Sequence, residues 1–253
     1  MAAQLNLFGK NILVTGAGRG IGRAISIALS KQGSNVYALS RTPSSLESLV
    51  KEHKSIVPIV GDVNDWEDTK RKIEDLNVMD GLVNNAGIIN EYTGFQSLTK
   101  QQLGTYLETN LLGAINVTKV VAEKMIKEGK PGSIVNVSSM SSINPLYGGI
   151  MPYVISKAGL DAATRQFAYE LGPHNIRVNS VNPSLVSGTD MTDGIVKSDP
   201  QLRDSTEYRT PMKRLVGIDD VSGAVVYLLS DLSLMVTATC HILDGGITNC
   251  IIV

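Results

Sequence analysis

Short apolar runs alternate along the chain with longer segments in which apolar residues recur every three or four positions. The short runs are rich in β-branched residues and predict buried strands, whereas the longer segments are typical of amphipathic helices. The predicted strands are 11–16, 35–40, 55–62, 80–87, 132–139, 176–183 and 238–246, and the predicted helices are 20–33, 44–53, 65–76, 99–128, 152–171 and 219–231. Pro58 counts against the third strand, because proline cannot donate to the ladder of a sheet.

The order of these elements predicts an α/β fold. Strands that are apolar throughout are typical of a parallel sheet covered by helices on both faces. No linker, repeat or low-complexity stretch divides the chain, so we predict one Rossmann-like, doubly wound domain over residues 1–253. Residues 184–215 carry no strong strand pattern and are rich in Ser, Thr, Asp, Gly and Pro, which indicates a substrate loop or lid.

Composition and charge argue against several kinds of function. Apolar residues make up 43% and charged residues 19% of the chain, which fits a globular protein with a large core. The formal net charge is −1 and no basic run occurs, so no nucleic-acid partner is expected. No apolar run approaches the ~18 residues of a membrane span. The N-terminus also lacks the pattern of a secretory signal.

The chain has two cysteines, Cys240 and Cys250, and three histidines, His53, His174 and His241. Two cysteines do not make a disulfide framework, which favours a reducing, cytoplasmic setting. The histidines are scattered and no cluster of further ligands accompanies them, so no metal site is expected.

A glycine-rich segment, TGAGRGIG at 15–22, follows the first predicted strand and opens the first predicted helix. A turn in this place lets backbone N–H groups approach a pyrophosphate, so it indicates a dinucleotide site. The spacing of Gly16, Gly20 and Gly22 differs from the usual Gly-x-Gly-x-x-Gly pattern.

The end of the second predicted strand bears on which dinucleotide is bound. An acid there accepts the ribose hydroxyls of NAD, whereas an arginine suits the 2′-phosphate of NADP. Here the strand ends in Ser40, Arg41 and Thr42 with no acid, and Arg19 lies in the glycine-rich segment. Since an arginine fork binds phosphate well, we predict NADP(H) rather than NAD. The alternative is that both arginines are solvated surface residues.

Tyr153 and Lys157 lie four residues apart in a predicted helix, and therefore on one face. Most such pairs are ordinary surface neighbours. A tyrosine with a pKa near ~10 is a poor acid or base at neutral pH, but a nearby cation lowers that pKa. A tyrosine tuned in this way can pass a proton to or from a substrate oxygen.

Several motifs make the chain resemble the short-chain dehydrogenase/reductase family over nearly its whole length. They occur in the family's order and on the matching predicted elements, which makes chance agreement negligible. They are the glycine pattern, NNAG at 84–87, NLLG at 110–113, NVSS at 136–139, the Tyr153–Lys157 pair, RVNSVNP at 177–183 and LDGG at 243–246.

The resemblance implies a catalytic set of Ser139, Tyr153, Lys157 and Asn110. Ser139 would hydrogen-bond the substrate carbonyl oxygen, and Tyr153 would deliver a proton to it as hydride arrives from the cofactor. Lys157 would hold the nicotinamide ribose and depress the pKa of Tyr153, and Asn110 would hold a water that relays protons.

Two features depart from the family pattern. Ser139 and Tyr153 lie one residue further apart than in similar members. Three neighbouring serines are alternative candidates for the serine that contacts the substrate, namely Ser138, Ser141 and Ser142. After the sixth strand, Pro183 is followed by Ser184 instead of glycine. The contact to the cofactor's carboxamide is open among Ser187, Thr189 and Thr192, of which Thr189 is our choice.

The resemblance also implies the remaining contacts to the cofactor. The cofactor set is Gly16, Arg19, Gly20, Ile21, Gly22, Ser40, Arg41, Thr42, Asp62, Val63, Asn84, Ala86, Gly87, Tyr153, Lys157, Pro183, Val186 and Thr189. The substrate set is Ser139, Asn144, Tyr147 and Tyr153, in which Asn144 and Tyr147 are candidate partners for substrate hydroxyls.

Within the family, the chain resembles NADPH-dependent reductases of α-dicarbonyls and L-xylulose-like ketoses. The polar content of 141–152 and 187–200 favours small polar carbonyls over steroids or long acyl chains. Two alternatives stay open. One is a 3-oxoacyl-carrier-protein reductase or another ketone reductase, with a basic entrance at Arg203, Arg209, Lys213 and Arg214. The other is an NADP-binding sensor without catalysis.

The family also implies a homotetramer. The last predicted helix and strand carry apolar residues close to the end of the chain, and a monomer would leave them exposed. Association about two-fold axes would cover them.

Overall fold

The structure, a computed structural model, describes residues 5–89, 94–145 and 148–250. A seven-stranded sheet in the order β3-β2-β1-β4-β5-β6-β9 lies at its centre, and all neighbouring strands are parallel. Its strands are β1 (Asn11–Thr15), β2 (Asn35–Ser40), β3 (Val57–Val60), β4 (Gly81–Asn84), β5 (Gly132–Val137), β6 (Ile176–Pro183) and β9 (Cys240–Leu243). The short strands β7 (Val186–Ser187) and β8 (Val216–Gly217) form a separate parallel pair.

Helices connect the strands. They are α1 (Gly20–Lys31), α2 (Pro43–Glu52), α3 (Trp66–Glu74), α4 (Lys100–Leu107), α5 (Gly113–Lys127), α6 (Met151–Leu171), α7 (Asp190–Ser198), α8 (Gln201–Arg209) and α9 (Ile218–Leu229). A π-helical turn, Glu108–Leu112, separates α4 from α5. The long helix predicted over 99–128 is therefore interrupted by a wider turn.

The middle of the sheet is buried on both faces, as β1 illustrates. Ile12 and Val14 join a core cluster with side chains of α1, α2 and α9. Leu13, which points to the opposite face, joins a second cluster with side chains of α3, α5 and α6. All three are at most 1% exposed. Alternate residues of one strand thus pack into two cores on opposite faces of the sheet, which confirms the predicted doubly wound α/β domain.

Pro58 lies inside β3, despite the objection that proline raises in a strand. β3 stands at one end of the strand order and, in the part of the chain that the structure describes, pairs with β2 alone. An edge strand tolerates proline, because the missing N–H faces away from the neighbouring strand.

Residues 184–215 differ from the expected loop, since α7 and α8 both lie in this segment. Each helix has nine residues, and α8 is strongly polar, so neither gives a clear apolar period in the sequence. The segment therefore contains two helices and is not an irregular loop.

The strand order reverses direction between β1 and β4. From β1 the chain builds outward through β2 to β3, and from β4 it builds the other way through β5 and β6. In open parallel sheets, ligands bind in the crevice outside the carboxyl ends of the strands at such a reversal.

No helix in the described ranges is long and apolar enough to cross a membrane. Among the same residues, no group of three or more His, Cys, Asp and Glu side chains is placed to hold a metal ion.

Candidate active site

The turn between β1 and α1 packs closely against the loop that follows β4. Gly16 has φ +65°, and a Cβ added there would lie 2.8 Å from the Cα of Ala86. A Cβ on Gly22 would lie 2.4 Å from the carbonyl oxygen of Gly16. Both positions therefore require glycine, one for its backbone conformation and both for the close approach.

The first turn of α1 is open to an anion. Its N-cap residue is Arg19, whose guanidinium has no acceptor atom and makes no cap hydrogen bond. The N–H groups at a helix start carry a partial positive charge, and Gly20 and Ile21 line the adjoining cleft. This geometry fits a pyrophosphate.

Thr15 and Asn85 fasten the two loops that meet at the reversal. The Thr15 hydroxyl accepts from the backbone N–H groups of Asn85 (3.0 Å) and Ala86 (3.1 Å). The Asn85 side chain donates to the carbonyl oxygens of Thr15 (3.0 Å) and Gly16 (3.1 Å). Sequence reasoning did not single out Asn85, although it lies in the NNAG motif.

Most of the predicted cofactor residues line a single cleft. These are Gly16, Arg19, Gly20, Ile21, Ser40, Arg41, Thr42, Asp62, Val63, Ala86, Gly87 and Thr189. A second cavity adjoins the cleft and shares Ile21, Gly87 and Thr189 with it. Tyr153, Lys157, Pro183 and Val186 line that second cavity.

Two predicted cofactor residues, Gly22 and Asn84, lie behind these linings. The side chain of Asn84 is 3% exposed and donates to Thr118 Oγ1 (2.8 Å) and Asn136 Oδ1 (2.9 Å). It therefore ties β4 to α5 and β5, and its neighbour Asn85 faces the cleft instead.

Arg19 and Arg41 reach the cleft with their guanidinium groups exposed. Arg19 pairs with Asp190 at 3.2 Å, and Arg41 pairs with Asp62 at 3.6 Å. The two arginine side chains are 80% and 60% exposed. Ion pairs this exposed contribute about 0–1 kcal/mol, so either arginine can exchange its carboxylate for a phosphate at little cost.

Tyr153 and Lys157 lie on the first two turns of α6. Lys157 is 4% exposed, its Nζ donates to the Val137 carbonyl at 2.7 Å, and it lies 5.8 Å from the Tyr153 ring centre. Burial lowers the pKa of Lys157 to about 8, and the charge of Asp161 opposes this shift. A strongly shifted pKa in a cavity is typical of a functional site.

Hydrogen bonds separate three of the four serines that follow β5. Ser139 Oγ accepts from the Ser141 N–H at 3.1 Å, so its own proton is available to a ligand in the cavity. Ser138 donates its proton to the Lys157 carbonyl at 3.2 Å. Ser142 Oγ lies within hydrogen-bond distance of the Ser139 carbonyl and of Asp161, and it lies behind the cavity lining. The geometry therefore favours Ser139 over Ser138 and Ser142 as the hydroxyl that meets a substrate, and Ser141 also lines the cavity.

Asn110 lies in the π-helical turn and is 0% exposed. Its Oδ1 accepts from the Ile88 N–H at 2.7 Å, and its Nδ2 donates to the Ile88 carbonyl (3.0 Å) and Ser156 Oγ (3.0 Å). The side chain thus joins the loop after β4 to α6 next to Lys157. A water-holding role for Asn110 stays a prediction.

The substrate side of the second cavity differs from the predicted set. Asn144 is exposed and is not part of the lining, and Tyr147 lies outside the described residues. The described lining includes apolar side chains that sequence reasoning did not name, Ile89, Met140, Leu185 and Met191. Leu185 and Met191 come from the segment 184–215, which was predicted to be a substrate loop or lid, although the sequence did not indicate which of its residues line the cavity.

Comparison with known proteins agrees with this geometry. A family profile described as enoyl-(acyl carrier protein) reductase matches residues 16–248. The chain is 41% identical to D-erythrulose reductase of Gallus gallus, over 97% of this chain and 98% of that protein. It is 40% identical to L-xylulose reductase of Homo sapiens, over 98% of this chain and 100% of that protein.

A solved structure shows the same fold. A gluconate 5-dehydrogenase from Burkholderia cenocepacia, in complex with NADP and tartrate, superposes with a TM-score of 0.89 and 26% identity. The match covers 96% of this chain and 97% of that one. Together with the glycine-rich turn and the Ser139, Tyr153 and Lys157 cavity, these similarities show that the chain belongs to the short-chain dehydrogenase/reductase family and is an oxidoreductase.

Proposed function

We propose that the protein is an NADPH-dependent reductase of small carbonyls, namely α-dicarbonyls and L-xylulose-like ketoses. The observation that carries this proposal is one cavity lined by Ser139, Tyr153 and Lys157 beside a cleft that suits a dinucleotide. Relatives at about 40% identity that bear the names of ketose reductases support the substrate class.

When bound, a reduced nicotinamide supplies the hydride. Ser139 donates its hydroxyl proton in a hydrogen bond to the substrate carbonyl oxygen, which orients the carbonyl. Tyr153 gives its phenolic proton to that oxygen as negative charge develops there. The Lys157 ammonium favours the phenolate that Tyr153 becomes, because a nearby cation stabilises the anionic form.

The residues at the end of β2 support a preference for NADPH. Ser40, Arg41 and Thr42 line the cleft there, with Arg19 nearby in the glycine-rich turn. Guanidinium and hydroxyl groups are donors and suit a phosphate better than a ribose hydroxyl pair. The NADP in the structure of the related gluconate 5-dehydrogenase supports the same assignment.

The test is a panel of carbonyls assayed by consumption of NADPH and of NADH. We expect diacetyl and L-xylulose to give a higher kcat/KM than a steroid ketone or an acetoacetyl thioester, with NADPH preferred. A tenfold advantage for the steroid or the thioester would show that the substrate class is wrong. Equal turnover with both cofactors would contradict the NADPH assignment.

An acyl-carrier-protein substrate is the second candidate, because the matching family profile is described as an enoyl-(acyl carrier protein) reductase. Of the four predicted entrance residues, Arg203 pairs with Glu207 at 3.2 Å, Arg214 pairs with Asp220 at 2.5 Å, and Lys213 donates to the Tyr208 carbonyl at 2.6 Å. These surface contacts exchange as readily as those of Arg19 and Arg41, so the acetoacetyl thioester in the panel tests this candidate.

A non-catalytic sensor would bind NADPH without consuming it. The same panel separates this alternative, because such a protein would quench or shift NADPH fluorescence and leave every carbonyl unreduced.

A further inference from the structure

A buried carboxylate lies one helical turn beyond Lys157. Asp161 is on α6, is 4% exposed, and lines neither the cleft nor the second cavity. Its Oδ1 accepts from Ser180 Oγ at 3.0 Å. Its Oδ2 accepts from Ser142 Oγ at 2.5 Å and from Asn182 Nδ2 at 2.7 Å. A carboxylate is kept inside a protein only where such donors compensate its charge.

Two of these donors also hold the backbone of Ser139. Ser142 Oγ lies 2.6 Å from the Ser139 carbonyl oxygen, and Asn182 Nδ2 lies 3.1 Å from it. Asn182 Nδ2 is also 3.0 Å from Ser142 Oγ. The Asn182 amide has two protons and can donate to Asp161 and to the Ser139 carbonyl together, whereas Ser142 has one hydroxyl proton and can donate to only one of them at a time. The network joins α6, the end of β6 and the loop after β5.

The Asp161 carboxylate is also the negative charge that acts on the Lys157 ammonium. Burial lowers the pKa of Lys157 to about 8, and Asp161 acts in the opposite direction. The other titratable or charged groups that face this pair are Tyr153 and Arg165 on α6 and Cys240 on β9. The loop after β5 and the end of β6 present only neutral serine and asparagine side chains to it.

We propose that Asp161 is a positioning residue for carbonyl reduction, which holds the Ser139 backbone in its working arrangement. This inference rests on the proposed function. Asp161 contacts no cavity, so it acts through Ser142, Asn182 and its charge. A displacement of the reacting groups by about 1 Å is enough to slow an enzyme by about 100-fold.

The test compares Asp161→Asn with wild type in the full chain. The amide keeps the shape of the carboxylate but removes its charge and replaces one acceptor by a donor. We expect kcat to fall by about 10- to 100-fold, with NADPH affinity within about threefold of wild type. The pH above which kcat declines should also move down, because loss of the negative charge lowers the pKa of Lys157 further.

Thr164→Val is the matched control. Thr164 lies on the same helix, is 0% exposed, donates to the Leu160 carbonyl at 2.8 Å and accepts from Asn136 at 2.8 Å. The substitution removes buried hydrogen bonds without touching the Ser139 loop. We expect a lower Tm but a kcat within about threefold of wild type and an unchanged pH profile. If the control loses as much kcat as Asp161→Asn, the role of Asp161 is merely structural and the proposal is overturned.

Ser142→Ala tests the link to Ser139 even if Asp161→Asn does not fold. It should lower kcat and leave the pH profile in place, since the charge remains. The proposal would be overturned if Ser142→Ala kept the full wild-type kcat. It would also be overturned if Asp161→Asn kept more than half of the wild-type kcat with an unchanged pH profile. Wild-type NADPH consumption is measured first. Its absence would refute the proposed function together with this inference, whereas normal turnover in wild type and variants refutes this inference alone.

Discussion

Lys157 is a buried charge among the residues assigned to the reaction. Its ammonium is almost fully buried, donates to one backbone carbonyl and lies beside the Tyr153 ring. Removing a charge from water is costly unless partners compensate, and the lowered pKa of Lys157 expresses that cost. The site therefore holds a cation at a buried position, where burial favours the neutral amine.

Tyr153→Phe tests the proton donor. We expect kcat to fall by about 10²- to 10⁴-fold, because a positioned acid is lost. NADPH affinity should change little, since the cleft is lined mostly by other residues. Tyr169→Phe, on the same helix and 81% exposed, should keep wild-type kcat. A Tyr153→Phe variant with more than a tenth of the wild-type rate would exclude Tyr153 as the acid.

Lys157→Met should be inactive yet more stable than wild type at pH 7. The folded state lowers the pKa of Lys157 from 10.5 to about 8, so burial of the ammonium opposes folding below pH 8. The penalty is on the order of 3 kcal/mol. Above pH 8 the folded protein releases this proton and the penalty fades towards pH 10.5. Urea unfolding at pH 7 and pH 10 measures it, and an advantage for methionine that grows with pH would contradict the assignment.

Arg41→Asp should reverse the preference between the two cofactors. It removes a charge-assisted contact to the 2′-phosphate worth about 1.5–3 kcal/mol and places an acid where NAD needs one. Fluorescence titration should show weaker NADPH binding and unchanged or tighter NADH binding. Arg71→Asp, a comparable charge change on the exposed side of α3, is the control. Equal weakening for both cofactors would mean that Arg41 does not contact the phosphate.

At the scale of elements, the site depends on how β1, β4 and α6 meet. The turn after β1 and the loop after β4 are joined by hydrogen bonds through Thr15 and Asn85. Asn110 joins that same loop to Ser156 on α6, the residue before Lys157. The predicted cofactor and catalytic residues are therefore held by one connected set of side-chain hydrogen bonds.

Gly16→Ala should disrupt this junction. Its Cβ would meet Ala86 Cα at 2.8 Å, and φ +65° is strained for alanine. We expect NADPH affinity to fall at least about tenfold, which corresponds to about 1.4 kcal/mol. Gly104→Ala, in α4 where a Cβ meets nothing within 4 Å, should leave affinity unchanged and add about 0.5–1 kcal/mol of stability. Wild-type affinity in Gly16→Ala would contradict the assigned cofactor turn.

At the scale of the whole molecule, β9 lies at an edge of the sheet. Within the described residues, β9 ends the strand order and pairs with β6 alone. Just before it, Leu234 is 65% exposed and Met235 is 96% exposed. Exposed edges and apolar patches invite association. We propose that this edge takes part in a homotetramer.

Light scattering should give about four times the chain mass of 27.1 kDa. Changing Leu234 and Met235 together to glutamate should lower the measured mass, because the introduced charges would have to be buried. Val57→Glu, on the opposite edge strand β3 and 43% exposed in wild type, should leave the mass unchanged. A stable wild-type monomer would refute the proposal.

The sequence alone determined the features that depend on neighbouring residues. The strands 35–40 and 176–183 were predicted with the bounds that the structure has, because runs of buried β-branched residues are a local signal. The spacing of Tyr153 and Lys157 also needed only the period of a helix. The glycine turn was readable for the same reason, since its chemistry lies within eight consecutive residues.

Only the tertiary structure decided which distant residues share a surface. Asp161 accepts from Ser180 and Asn182, 19 and 21 residues away, and Leu185 joins the cavity from a segment that looked like a loop. Asn84 and Asn85 are adjacent in one motif, yet one ties strands together and the other faces the cleft. Such assignments depend on how strands and helices pack after the chain has folded, and periodicity carries no information about the partner across that packing.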